Sequence, residues 1–168
     1  MEKVKLFGDN LSIVLPIERV DASEARILPL NQEVFMHPRC NNSIIIEFLE
    51  KLDSTNDETA AMDHFDEISR SNDAIDKEIK VLRKLNADEF VLKNCTVALY
   101  LSGTNTFRDN SPDELITIDF ILFRLPTYST DLIVTYNNAE NQDFENWPSS
   151  LALEIAKSLE ITNFGMLV

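Results

Sequence analysis

The sequence predicts an α+β fold built on a mostly antiparallel sheet covered on both faces, and three observations carry that prediction. Strand-like segments follow one another through short connections with no helical crossover between them, which favours antiparallel pairing. The run Ile44-Ile45-Ile46 is apolar on both faces of a strand, so both faces must be covered. Two stretches switch to a helical period and can supply the cover.

Taken in order, residues 11–15 are short, β-branched and apolar, and Pro16 ends them as a strand. Residues 17–31 read as a connector with one helical turn near Ser23–Ile27. Residues 32–36 form a strand closed by His37-Pro38, and Asn41-Asn42 turns the chain into a strand over 43–49. Ala61, Phe65 and Ile68, with Met62 beside them, share one face of a helix over 57–70. Ser54 or Asn56 can cap it, and Asp57 and Glu58 suit its first turn. Residues 75–82 fit either a helix or a strand. Strands are expected over 90–102, 114–125 and 131–136, with polar loops over 103–113 and 138–146. A last helix is expected over 147–160, with Trp147 as its anchor, and Gly165 punctuates an extended tail.

Composition narrows the function. The length of 168 residues sets one domain, 1–168, long enough to carry its own core. Fifteen Lys and Arg against 29 Asp and Glu leave a net charge of −14. Nucleic acid and anionic membranes are therefore poor partners, and a basic protein surface is a good one. The three glycines cannot write a nucleotide-cradling loop. Cys40 and Cys95, 55 residues apart, read as reduced packing residues. His37 and His64 read as capping or satisfied, partly buried groups, too few for a metal site. No cofactor is implied. The N-terminus lacks the apolar region of a signal peptide, and no apolar run reaches membrane-spanning length.

Residues 47–67 concentrate the charge: Glu47, Glu50, Asp53, Asp57, Glu58, Asp63, Asp66 and Glu67 stand against Lys51 alone, a net −7. By spacing alone this is a solvated helix face beside a strand end. A docking surface that steers a basic partner is the functional alternative. A glycosidase-like carboxylate pair, Glu47 with Glu50, is a third reading, although i and i+3 on a strand face opposite ways.

Six segments, in order, resemble the Ran guanine nucleotide release factor family. Leu6-Phe7-Gly8 with 11–16 is similar to its opening L-[FY]-G-G and strand-proline run. Val20-Asp21-Ala22-Ser23 and Arg26 resemble I-D-x-S-x-x-R. Pro29-Leu30-Asn31-Gln32-Glu33-Val34-Phe35 resembles P-D-x-Q-E-V-[FY], and Ser43 to Glu50 resembles S-[IL]-I-V-[DE]-L-L-E. His64-Phe65 matches a helix pair, and Arg124 to Asp131 matches R-L-x-x-[YF]-x-T-D. Two departures touch turns: Asp9 replaces a second glycine, and Pro16-Ile17-Glu18 replaces a Pro-x-Gly turn.

The resemblance implies an α/β/α sandwich with a twisted antiparallel sheet of about six strands, similar to the PsbP photosystem protein, and it resolves 75–82 as a strand. It implies a non-catalytic factor that binds the GTPase Ran, promotes release of its guanine nucleotide and supports nuclear import, in nucleus and cytoplasm. An acidic adaptor of the same fold without exchange activity is the alternative. The implied Ran contacts are Glu47 and Glu50, with Gln32, Glu33 and Asp21 in the neighbouring motifs. The expected docking is of a monomer onto a basic surface of Ran, with room for a second Ran-binding protein.

Overall fold

A computed structural model describes residues 1–54, 56–107, 115–139 and 146–167. The expected loops over 103–113 and 138–146 lie partly outside those residues.

Among the described residues, ten strands and two α-helices follow the chain. They are β1 (Glu2–Leu6), β2 (Leu11–Leu15), β3 (Val20–Asp21), β4 (Gln32–Met36), β5 (Ser43–Glu50), α1 (Asp57–Ser71), β6 (Asp76–Lys84), β7 (Val97–Thr106), β8 (Leu115–Leu125), β9 (Thr130–Ala139), α2 (Leu151–Ala156) and β10 (Glu160–Ile161). Seven strands form one sheet in the order β3-β4-β5-β9-β8-β7-β6, and β1, β2 and β10 form a second of three. Every pairing is antiparallel.

The large sheet is covered twice, as its two-sided strands require. On one face Ala60, Ala61 and Phe65 of α1 pack on Leu99, Leu101, Ile118, Phe120, Leu122 and Ile133. On the other, Leu151 and Ile155 of α2 and Leu11, Ile13 and Leu15 of β2 pack on Ile44, Ile46, Ile121, Phe123, Leu132 and Val134. The second cover is thus shared between a short helix and a small sheet. Gly103 of β7 lets α1 come close, because a Cβ there would stand 2.6 Å from the Phe65 ring.

Asn56 caps α1, its side chain accepting from Glu58 N at 2.8 Å. Met62 is corrected to the outer face of α1, 38% exposed. Strand β1 was not expected; its lysines sit on an edge, and only Leu6 is buried. The hairpin from β1 to β2 needs left-handed backbone at Phe7, Gly8 and Asp9, with φ of 51°, 64° and 71°. Asp9 therefore occupies a position that glycine would fill without strain. Ile17 and Glu18 carry no such φ, so losing a glycine in that turn costs nothing of this kind. The strand expected from residue 90 starts at Val97, and it runs on through Thr106. The expected helix over 147–160 contracts to Leu151–Ala156, because β2 needs an edge partner. Ser158 Oγ accepts from Val14 N at 2.9 Å, and Glu160 and Ile161 pair with Ser12 and Leu11. Trp147 is buried ahead of α2, donating Nε1 to Glu18 O at 3.1 Å.

Candidate functional site

Strand β5 lies in the large sheet between β4 and β9, and residues of β5 and α1 line a common hollow. Residue parity then decides what each side chain meets. Ile44, Ile46 and Phe48 point to the α2 face. Ile45, Glu47 and Leu49 point to the α1 face, where they line a hollow of about 340 Å³ with Gln32, His64, Glu67 and Ile133. A second hollow of about 530 Å³ adjoins it, lined by Leu49, Glu50, Leu52, Asp63, Asp66 and Arg70 among others. His64 and Glu67 line both.

Glu47 is half-buried, not solvent-facing as a strand-end carboxylate was expected to be. Burial pushes its carboxyl above the ordinary value of 4.5, against the opposing pull of the Gln32 hydrogen bond and of His64. Gln32 Nε2 donates to Glu47 Oε2 at 3.2 Å, the two being register partners across β4 and β5. No Lys or Arg pairs with Glu47 among the described residues. Farther along the hollow, Asn137 has a buried Oδ1 with no hydrogen-bond donor. The hollow thus holds one carboxylate without a Lys or Arg partner and one amide oxygen without a donor among the described residues.

Of the five implied contact residues, Gln32 and Glu47 come together. Glu50 is exposed at the end of β5 and lines the adjoining hollow. Since Glu47 and Glu50 open into different hollows, the carboxylate-pair reading has no geometry to support it. Glu33 belongs elsewhere: its Oε1 accepts from Phe7 N at 3.0 Å and so holds the β1–β2 hairpin. Asp21 caps the 3₁₀ turn Ala22–Glu24, accepting from Ser23 N at 2.8 Å. It sits opposite Phe35, three residues along β4 from Gln32.

Beneath the site lies a charge cluster that sequence reasoning did not assemble. Asp131, fully buried, stands 2.8 Å from Arg124 Nε, an ion pair by distance though not aligned as a hydrogen bond. Its other oxygen is 2.9 Å from His64 Nε2 and 3.2 Å from Leu52 N. Arg124 donates Nη2 to Leu52 O at 2.7 Å and meets Asp57 at 3.3 Å. The signal was present, because His64, Arg124 and Asp131 all fall in matched segments. Their common role needed the register that sets Arg124 opposite Asp131.

A family described as "Ran-interacting Mog1 protein" matches residues 4–139. The chain belongs to the Mog1 family. Among Mog1 relatives, the Ran guanine nucleotide release factor of Danio rerio is 38% identical over 79% of this chain and 75% of its own. The human protein of that name is 34% identical, over 79% and 73%. The nuclear import protein mog1 of Schizosaccharomyces pombe is 40% identical over 52% of this chain and 46% of its own. The fold agrees with the crystal structure of the Saccharomyces cerevisiae Ran-binding protein Mog1p, at a TM-score of 0.80, 19% identity and coverage of 99% and 98%.

Proposed function

We propose that this chain binds Ran, promotes release of its guanine nucleotide and acts in nuclear import, without covalent chemistry of its own. The observation that carries this reading is the Glu47 hollow: a half-buried carboxylate, raised in pKa by burial and without a Lys or Arg partner among the described residues, on a Mog1-family chain. A charge held so is poorly compensated, and a Lys or Arg from outside would compensate it.

Two steps follow. The −14 charge steers the chain to a basic surface of Ran and raises the rate of encounter. Glu47, with Gln32 fixing its Oε2, and Glu50 on the rim then take a Lys or Arg that would otherwise hold phosphate. If the complex favours nucleotide-poor Ran, reciprocity lowers nucleotide affinity by the same factor. Glu33 and Asp21 support this surface through the hairpin and the capped turn that they hold. The chain acts as one unit, as a monomer, in nucleus and cytoplasm, and the β1–β2 side is left for any second Ran-binding protein.

The test is release of a fluorescent guanine nucleotide from purified Ran. The chain should accelerate release in proportion to its concentration. Binding without acceleration would leave the adaptor reading in its place.

A further inference from the structure

Between Asp21 and Gln32 the chain presents Ile27-Leu28-Pro29-Leu30, and both Ile27 and Leu30 are 100% exposed. Two fully exposed aliphatics three residues apart leave apolar surface in water that a partner could cover. The segment is held at both ends. Asp21 caps its entry, and Ala25 N and Arg26 N both donate to Ala22 O at 3.1 Å. At its exit Gln32 N donates to Pro29 O at 3.1 Å, a β-turn with Leu30 and Asn31 at its centre. Asn31 then locks the turn to β5: its Nδ2 donates to Phe48 O at 2.8 Å, and Phe48 N donates to Asn31 O at 2.9 Å. Phe48 adjoins Glu47 in sequence, and Gln32 is the hydrogen-bond partner of Glu47. The apolar turn is thus rigidly continuous with the acidic hollow.

We propose that Ile27 and Leu30 are apolar anchors of the same docking surface, seating in an apolar depression on Ran that is bordered by the Lys or Arg side chains meeting Glu47. This inference rests on the Ran-binding reading above. Charge selects the occupant: a second copy would bring its own −14 to an acidic rim, whereas a basic protein complements it. The division of labour is the ordinary one for an interface, with charge governing encounter and desolvated apolar anchors governing residence. Asp21 is then a positioning residue, acting through the turn it caps.

The test measures binding kinetics of the full chain on immobilised Ran at low and high salt. The double variant Ile27→Ser, Leu30→Ser should weaken binding roughly thirtyfold, almost all of it in faster dissociation. Its association rate and salt dependence should match the wild type. Its unfolding curve should also match, because both side chains already lie in water in the free protein. Asp21→Ala should give a smaller loss in the same rate, restored by Asp21→Asn, which also caps. Affinity of the double variant within about twofold of wild type would overturn the inference while leaving Ran binding standing. Dimers of the free chain that the double variant abolishes would overturn it in favour of a second copy. No binding of wild type to Ran at either salt would remove the functional reading and the inference together.

Discussion

Glu47 and Asp131 sit on adjacent strands of one sheet, both face α1, and both share His64 as a neighbour, yet their surroundings are opposite. Asp131 is fully buried, with one oxygen ion-paired to Arg124 and the other bonded to Leu52 N and His64. Glu47 is half-buried, takes one hydrogen bond from a neutral amide, and has its ionised form disfavoured by burial. A carboxylate buried with its counter-ion belongs to the fold. One kept partly dry without a counter-ion costs stability, and an external cation would relieve that cost. On the proposed reading, the pair separates structural from functional charge on a surface where both look alike in sequence.

The largest expected effect breaks the structural half. Asp131→Ala leaves Arg124 buried and uncompensated, and should cost about 3–5 kcal/mol of stability in urea unfolding. A loss below about 1 kcal/mol would mean that Asp57 or the Leu52 carbonyl suffices for Arg124. Next comes the functional half. Glu47→Gln should weaken Ran binding by about 2–5 kcal/mol, as for loss of one partner of a desolvated pair, with stability unchanged or higher. Isothermal titration and urea unfolding read the two numbers on the same preparation.

A pH series sharpens the contrast. The folded Glu47 carboxyl holds its proton to a higher pH than the unfolded one, whose value is 4.5. The folded state therefore binds more protons within that window, and Glu47 makes stability fall as pH rises through it. Above the raised folded value the full penalty is present and constant. Glu47→Gln should remove this component of the pH profile. Ran affinity should run the other way, rising with pH across the window as the carboxylate forms. An affinity that does not change across it would mean that Glu47 does not meet a cation.

Smaller effects are expected at the rim. Glu50→Lys, at an exposed position, should cost under about 1 kcal/mol in affinity and act mainly on the association rate. Raising salt should slow association as the screening length shrinks from roughly 10 Å at 0.1 M to roughly 3 Å at 1 M. Glu160 is a poor control for either experiment, because it pairs with Lys3 at 3.1 Å and accepts from Ser12.

Strand positions were legible where side-chain period and turn residues agreed. The strands at 11–15 and 32–36 matched their expected bounds, and β5 and α1 each run one residue further than expected. Strand β1 was not legible, because an edge strand with exposed lysines has little apolar signature. Strand β10 was hidden inside an apparent helix, since Leu159 fits a helical face and only the open edge of β2 draws the tail into a sheet. At the site, motif resemblance brought Gln32 and Glu47 to notice, and sheet register explains why they meet. It could not reveal that Glu33 and Asp21 hold neighbouring loops, because both hydrogen bonds depend on local geometry rather than spacing. The exposure of Ile27 and Leu30 was equally hidden, because a connector of mixed charged and apolar residues does not say which of its apolar side chains the sheet covers.

The most direct test of the distinction is the rate of guanine nucleotide release from Ran driven by Glu47→Gln, with unfolding free energy measured alongside. The account predicts a protein at least as stable as wild type that no longer accelerates release. Wild-type acceleration by the folded variant, or a loss of stability comparable to that of Asp131→Ala, would show that Glu47 belongs to the fold and that the functional charge lies elsewhere.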